Sequence, residues 1–240
     1  MSLATRNVTP IFPNLSKGLS IIIPAAGEGT RMKAYGIKSL IPLNTTTNII
    51  EHQLKTIFKV FNRKTTEVIL VTGFQSLKLM NNTPDDLLKV ENERYLETNV
   101  IRSLGMGLRV AKHSAVLVIY GDLVFNIHAL TTDLQKSTLM IDKNTMGENE
   151  VGCTIDNERI ENVLYNLPNK WAQIGYFVGK ELALLKQFCW HPSNERKFGF
   201  EAINHIIEKK GKFLAKQPNQ IKVNDVDSPK DLEVAQAILK

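Results

Sequence analysis

The sequence predicts an α/β fold, a three-layer αβα sandwich on a mixed, mostly parallel sheet. Three observations predict it. Residues 19–24 (LSIIIP), 67–72 (EVILVT) and 115–120 (AVLVIY) are continuous apolar runs of strand length, as expected of strands buried on both faces. Between them lie stripes at helical spacing: Ile50, Leu54, Ile57 and Phe61 in the first, Ile101, Leu104, Leu108 and Ala111 in the second. Strand and helix alternate, which gives parallel strands with helices on both faces.

Thr98 is the expected cap of the second striped helix. After the run at 115–120, shorter strands are expected near 136–141, 151–155, 159–164 and 173–179, and their tighter connections add an antiparallel portion. Helices are expected at 180–188, 198–209 and 229–239. The last of these opens on Ser228-Pro229-Lys230-Asp231, with Ser at the N-cap, Pro at N1 and Asp at N3. Residues 1–17 read as a tail and 18–240 as a single domain.

Composition narrows the function classes. With 43% hydrophobic and 22% charged residues, the chain has an ordinary globular balance and enough length to bury a core. No apolar run approaches the roughly 20 residues of a membrane span, and the first ten residues show no signal-peptide core. Cys153 and Cys189 suit neither a metal site nor a disulfide framework, so a reduced, cytoplasmic protein is expected. The formal charge is +6, unevenly spread: residues 1–60 carry seven basic and two acidic side chains, and residues 121–180 five and eight. That division suits an anionic ligand beside carboxylates that bind a cation. Basic runs such as Lys209-Lys210-Gly211-Lys212 are short and lack interleaved aromatics, so nucleic acid is not an expected partner. The five histidines share no ligand or triad spacing.

Open α/β sheets bind ligands beyond the carboxyl ends of their strands, which directs attention to the residues just after the first and third runs. Pro24-Ala25-Ala26-Gly27-Glu28-Gly29-Thr30-Arg31-Met32 closes the first run and continues from it, with Lys38 beyond. Small residues let backbone amides approach a triphosphate, and Arg31 and Lys38 add positive charge where phosphate charge builds. A dinucleotide fingerprint would need a third glycine where Met32 stands, and a Walker A loop would need Gly-Lys-Ser/Thr; neither is present. Asp122 ends the third run as Tyr120-Gly121-Asp122, and Asp227 lies in Asp225-Val226-Asp227-Ser228. One or two carboxylates with phosphates and waters are what Mg²⁺ needs. Asp225 is the alternative to Asp227.

The glycine-rich stretch resembles the signature of nucleotidyltransferases with a GT-A-like Rossmann fold, which include sugar-1-phosphate nucleotidylyltransferases and cytidylyltransferases. Ile37 stands before Lys38 where the family pattern has Pro. The resemblance implies metal binding by Asp122 and by the late segment Asp227-Ser228-Pro229-Lys230-Asp231-Leu232. The run Asn92-x-x-Tyr95-x-x-Thr98-Asn99-x-x-x-Ser103-Leu104 is similar to the bacterial phosphocholine cytidylyltransferase branch, where it flanks the nucleotide. This implies nucleotide contacts from Ala25, Ala26, Gly27, Glu28, Gly29, Thr30, Asn99 and Ser103, with Arg31 and Lys38 as catalytic cations. The expected partners are an NTP, CTP in this branch, and a small phosphorylated acceptor such as phosphocholine or a phosphonate. Candidate acceptor contacts are Gln173, Trp171, Trp190 and Glu201, with Phe198 and Phe200, since aromatics with a carboxylate suit a quaternary ammonium. A hexose-1-phosphate nucleotidylyltransferase and a catalytically silent nucleotide-binding or regulatory domain are the alternatives. A glycosyltransferase would be expected to carry Asp-x-Asp, which Asp122-Leu123-Val124 is not. Which NTP, which acceptor and which oligomeric state are open on the sequence.

Overall fold

A computed structural model describes residues 18–142 and 150–239. The tail assigned to residues 1–17 lies outside the described residues, and so do the side chains of Thr30 and Arg31.

The chain begins with β1 (Leu19–Pro24), α1 (Ile49–Val60) and β2 (Thr66–Thr72), then α2 (Ser76–Asn81), β3 (Leu88–Glu91) and α3 (Val100–Val110). β4 (Ala115–Ile119), β5 (Leu123–Phe125), β6 (Thr138–Asp142), β7 (Val151–Asp156), β8 (Arg159–Tyr165) and β9 (Asn169–Val178) come next. The remainder is α4 (Gly179–Trp190), α5 (Gly199–Glu208), β10 (Leu214–Lys216), β11 (Val223–Asp225) and α6 (Pro229–Ile238).

Among the described residues nine strands form one sheet, ordered β3-β2-β1-β4-β9-β6-β10-β8-β7, and β11 pairs with β5 in a separate ribbon. The block β3-β2-β1-β4 is parallel. β9 then runs antiparallel to both β4 and β6, and the β7–β8 hairpin is antiparallel as well. The three-layer arrangement is read directly from β1. Ile21 and Ile23 pack with Ile50, Leu54 and Ile57 of α1, while Ile22 packs on the other face with Ile101, Leu104 and Leu108 of α3. Alternate side chains of a strand face opposite sides, so a continuous apolar run serves both helical layers. Each such aliphatic side chain contributes about 1.5–3 kcal/mol by leaving water. Cys153 and Cys189 are buried in the second of these cores.

Two details differ from the sequence-based expectation. The N-cap of α3 is Asn99, whose side-chain oxygen accepts the Val100 N–H at 2.9 Å. Thr98 is engaged elsewhere: its hydroxyl donates to the Arg94 carbonyl at 2.7 Å and accepts from Asn92 Nδ2 at 3.1 Å. β9 starts at Asn169, ahead of the expected 173, and so carries Trp171 within the strand. It also bulges. Leu139 of β6 faces Gly175 but Ile141 faces Trp171, and Gln173 adopts φ 55° in the excess length. β3, β5, β10, β11 and α2 have three to six residues each, too short to display a period.

α3 sits close to the sheet because Gly107 has no side chain there. A Cβ at this position would come within 2.7 Å of Ile22 Cγ2. Gly107→Val is therefore expected to lower the unfolding free energy by about 1–3 kcal/mol, seen as a lower urea midpoint with an unchanged slope.

Candidate active site

In the strand order 2-1-4, β1 and β4 are neighbours whose following segments leave in different directions, so a crevice opens at their carboxyl ends. The glycine-rich loop lies on one side of it and Tyr120-Gly121-Asp122 on the other, with the Gly121 N–H donating to the Pro24 carbonyl at 3.1 Å. Two polar side chains hold this turn from below. Gln53 of α1, fully buried, donates to the carbonyls of Tyr120 at 2.9 Å and Leu123 at 2.8 Å. Ser39 donates to the Gly121 carbonyl at 2.9 Å.

Asp227 arrives from the far end of the chain. β11 pairs antiparallel with β5, setting Asp225 opposite Leu123, and the Val226 N–H donates to the Asp122 carbonyl at 3.1 Å. The Ser228 cap then fixes the loop. Asp231 accepts from the Ser228 hydroxyl at 2.8 Å and from the Asp227 N–H at 3.1 Å. The late Asp-Ser-x-x-Asp segment is thus a helix cap that presents Asp227.

Lys38 joins the two halves. Its ammonium donates to Asp122 Oδ2 at 3.3 Å and forms a second, shorter hydrogen bond to Asp227 Oδ1. Burial alone would push this ammonium down, but Asp122 and then Asp227 hold it above the ordinary lysine value, and it is charged. Burial pushes the Asp122 carboxyl up. Lys38 pulls it back, yet Asp225 and Asp227 add repulsion, and the balance is above the ordinary value. The stem of Lys38 lies across Gly29, which has φ 62° and whose added Cβ would meet Lys38 Cγ at 2.8 Å.

The crevice has two lobes. The first, about 380 Å³, is lined by Ala25, Ala26, Gly27, Gly29, Lys38, Asn99 and Ser103, with Asn92, Tyr95 and Thr98. Here the Asn-x-x-Tyr-x-x-Thr-Asn motif has a physical basis. Buried Asn92 donates to Ser103 Oγ at 3.2 Å as well as to Thr98, and its Oδ1 accepts the Arg94 N–H at 3.2 Å. The motif builds a rigid wall. Tyr95 stands edge-on to Phe74, with ring centroids 6.2 Å apart.

The second lobe, about 480 Å³, shares Asn99, Tyr120, Asp122, Gln173 and Phe198 with the first. It adds Glu150, Tyr165, Lys170, Trp171, Phe200, Asp225, Asp227 and Asp231. Phe198 and Phe200 are stacked at 5.7 Å and 8°, and Tyr165 meets Phe200 edge-on at 5.3 Å. Tyr165 and Phe198 are 43% and 44% exposed, so this aromatic wall presents open ring surface. Trp171 is buried, edge-on to Tyr120 at 5.8 Å, with its indole N–H directed to the Ile174 carbonyl at 3.4 Å.

Several residues here left no readable signal in the sequence. Lys170 has a side chain only 4% exposed and pairs with Glu150 and with Asp225, the latter at 3.2 Å. Burial pushes its ammonium down, but Asp225 and Glu150 outweigh that and raise it above the ordinary value. Asp225 also accepts from Gln173 Nε2 at 3.2 Å, so both its oxygens are engaged. Gln53, Ser39 and Tyr165 are the others. A lysine inside an apolar strand could have drawn notice, but its two partners come from distant segments.

Two acceptor candidates lie elsewhere. Trp190, at the end of α4, donates to the Gly105 carbonyl at 3.1 Å and lines neither lobe. Glu201 is the N3 residue of α5: it accepts the Phe198 N–H at 2.8 Å and pairs with Lys197 at 2.7 Å. Helix capping accounts for it. Glu28 is half-buried in the loop and is not among the residues lining either lobe.

Sequence and fold are both shared with known proteins. Residues 21–171 match the MobA-like NTP transferase domain family, and the chain belongs to it. No curated protein matches the sequence significantly. Among solved structures, the CTP:phosphocholine cytidylyltransferase of Streptococcus pneumoniae superimposes with a TM-score of 0.71 at 18% identity, covering 93% of this chain and 100% of that one. A candidate glucose-1-phosphate thymidylyltransferase from Bacillus anthracis gives 0.75 at 16% identity, covering 92% and 95%. The inositol-1-phosphate CTP transferase of T. maritima gives 0.72 at 14%, covering 93% and 97%. The fold is that of the nucleotidyltransferases, and the chain is a member of that class. Among the described residues, no helix is long and apolar enough to cross a membrane.

Removing Lys170 takes away the buried ammonium that pairs with both Asp225 and Glu150. Lys170→Ala is expected to cost roughly 2–4 kcal/mol of stability, measured by chemical denaturation at neutral pH.

Proposed function

We propose that the protein is a Mg²⁺-dependent cytidylyltransferase of the cytoplasm. It transfers CMP from CTP to a small phosphorylated acceptor of the phosphocholine or phosphonate type, with release of pyrophosphate. The observation that carries this reading is the two-lobed crevice with Asp122 and Gln173 at its seam. The lobe beside the glycine-rich loop suits the nucleotide. The other presents an exposed aromatic wall of Tyr165, Phe198 and Phe200. Open ring faces favour a cationic head group over a neutral sugar. Two of the structural neighbours, named for phosphocholine and for inositol-1-phosphate, are CTP enzymes.

The residues fit a divalent cation. Asp122 and Asp227 already converge on one ammonium and offer hard oxygen donors. Among the described residues no group of three acidic, histidine or cysteine side chains converges as a metal cage, and Mg²⁺ typically takes one or two carboxylates and completes its shell with phosphates and water. When bound, Mg²⁺ would neutralise phosphate charge. The chain's own residues do the rest. Backbone groups of residues 25–29 bind the triphosphate, the Asn92–Ser103 wall orients the nucleoside, and Gln173 positions the incoming acceptor. An acceptor phosphate oxygen attacks the α-phosphorus, forming the new P–O bond as the bond to the β-phosphate oxygen breaks. A phosphate monoester is anionic at neutral pH, so no general base is required. Lys38, joined by Arg31, offsets charge on the transferring and leaving groups, and positioning and electrostatics supply most of the rate.

The test is a pyrophosphate-release screen of four NTPs against phosphocholine, phosphoethanolamine, aminoethylphosphonate and hexose 1-phosphates. Activity is expected with CTP and an amino-alcohol phosphate or phosphonate. Turnover confined to a hexose 1-phosphate would replace this reading with nucleotide-sugar synthesis, and nucleotide binding with no pyrophosphate from any pair would replace it with a silent domain. With the active pair identified, Asp122→Asn and Lys38→Ala are each expected to lower turnover about 10²–10³-fold while circular dichroism stays unchanged.

A further inference from the structure

The two carboxylates assigned to the metal are bridged by a side chain of the chain itself. Lys38 hydrogen-bonds both Asp122 and Asp227, and its backbone is anchored next door by Ser39, whose hydroxyl donates to the Gly121 carbonyl at 2.9 Å. An ammonium and a divalent cation cannot share these oxygens, because their mutual repulsion at contact distance adds to the loss of ligands. One must leave when the other arrives.

Lys38 is built to leave. Its four-carbon stem is flexible and rests on Gly29, where a Cβ would meet Cγ at 2.8 Å, Cε at 2.9 Å and Cδ at 3.1 Å. The absent side chain clears a track that runs from the aspartates toward the glycine-rich loop. Pivoting about a fixed backbone, the ammonium can pass from carboxylate oxygens to phosphate oxygens on that loop while the stem stays in its bed.

We propose that Lys38 is an exchangeable counter-ion, which occupies the Asp122–Asp227 position until a metal–nucleotide complex displaces it onto the triphosphate. This rests on the metal assignment of the proposed function and adds what that assignment lacks, a competitor for the metal within the protein. Free divalent cations then bind weakly, and metal enters together with nucleotide, because only the complex offers the displaced ammonium a new anion. The same lysine keeps Asp122 and Asp227 from repelling each other in the meantime.

The experiment measures Mn²⁺ binding to the full-length protein, without nucleotide, from the electron paramagnetic resonance signal of the free ion. Lys38→Met is expected to bind Mn²⁺ about tenfold more tightly than wild type, which corresponds to about 1.4 kcal/mol. Adding Asp122→Asn to that variant is expected to abolish the gain. Equal or weaker binding by Lys38→Met overturns the proposal, and so does a gain that survives Asp122→Asn. Lys38→Gln takes the place of the methionine variant if that one does not fold. Pyrophosphate release by the wild type tests the catalytic reading separately: the gain without release leaves the exchange intact and removes the reading, and release without the gain does the reverse.

Discussion

Carboxylates gathered at one end of a sheet repel one another, and the architecture of this protein is organised around how that repulsion is offset. Asp122, Asp225 and Asp227 converge where β1 and β4 end, and burial first, then Asp225 and Asp227, push the Asp122 carboxyl upward. Two lysines divide the load. Lys38 spans Asp122 and Asp227, and Lys170 holds Asp225 together with Glu150. The partition leaves both oxygens of Asp225 engaged and brings Asp227 and Asp122 together on Lys38. It also distinguishes two aspartates that stand two residues apart.

The supporting structure serves the same end. Gln53 and Ser39 pin the turn that presents Asp122, the β5–β11 ribbon brings residues from distant parts of the chain into register, and the Ser228–Asp231 cap fixes the backbone of Asp227. The bulge in β9 turns Gln173 toward Asp225 in an unusual left-handed conformation. Backbone strain of this kind persists where surrounding contacts over-determine it, and such places cluster at functional sites. Gln173 fits that pattern, since it lines both lobes.

Much of the fold is legible in the sequence because its central strands are buried on both faces. A run such as LSIIIP has no amphipathic alternative, and α1 and α3 carry stripes wide enough to identify. The cap of α3 falls one residue from its expected place because Thr98 and Asn99 are both good capping types. The choice between them depends on Asn92, which engages the Thr98 hydroxyl. Trp190 and Glu201 are of types that suit an aromatic–carboxylate pocket, yet each is consumed locally, one by a helix carbonyl and the other by a helix N-terminus. Residue type cannot reveal that a polar group is already satisfied.

By itself the sequence determined the order of the longer strands and helices, the glycine-rich loop after β1, the aspartate after β4 and the class of chemistry those imply. These are local: a strand, its terminal turn and the residues immediately beyond it are set by adjacent positions. Tertiary structure alone decided that a buried Lys170 and Gln173 engage Asp225, and that Tyr165 joins Phe198 and Phe200 in one wall. Each of those outcomes depends on contacts between segments far apart in the chain. Charge pairing and ring stacking act through space, and no spacing along the sequence encodes them.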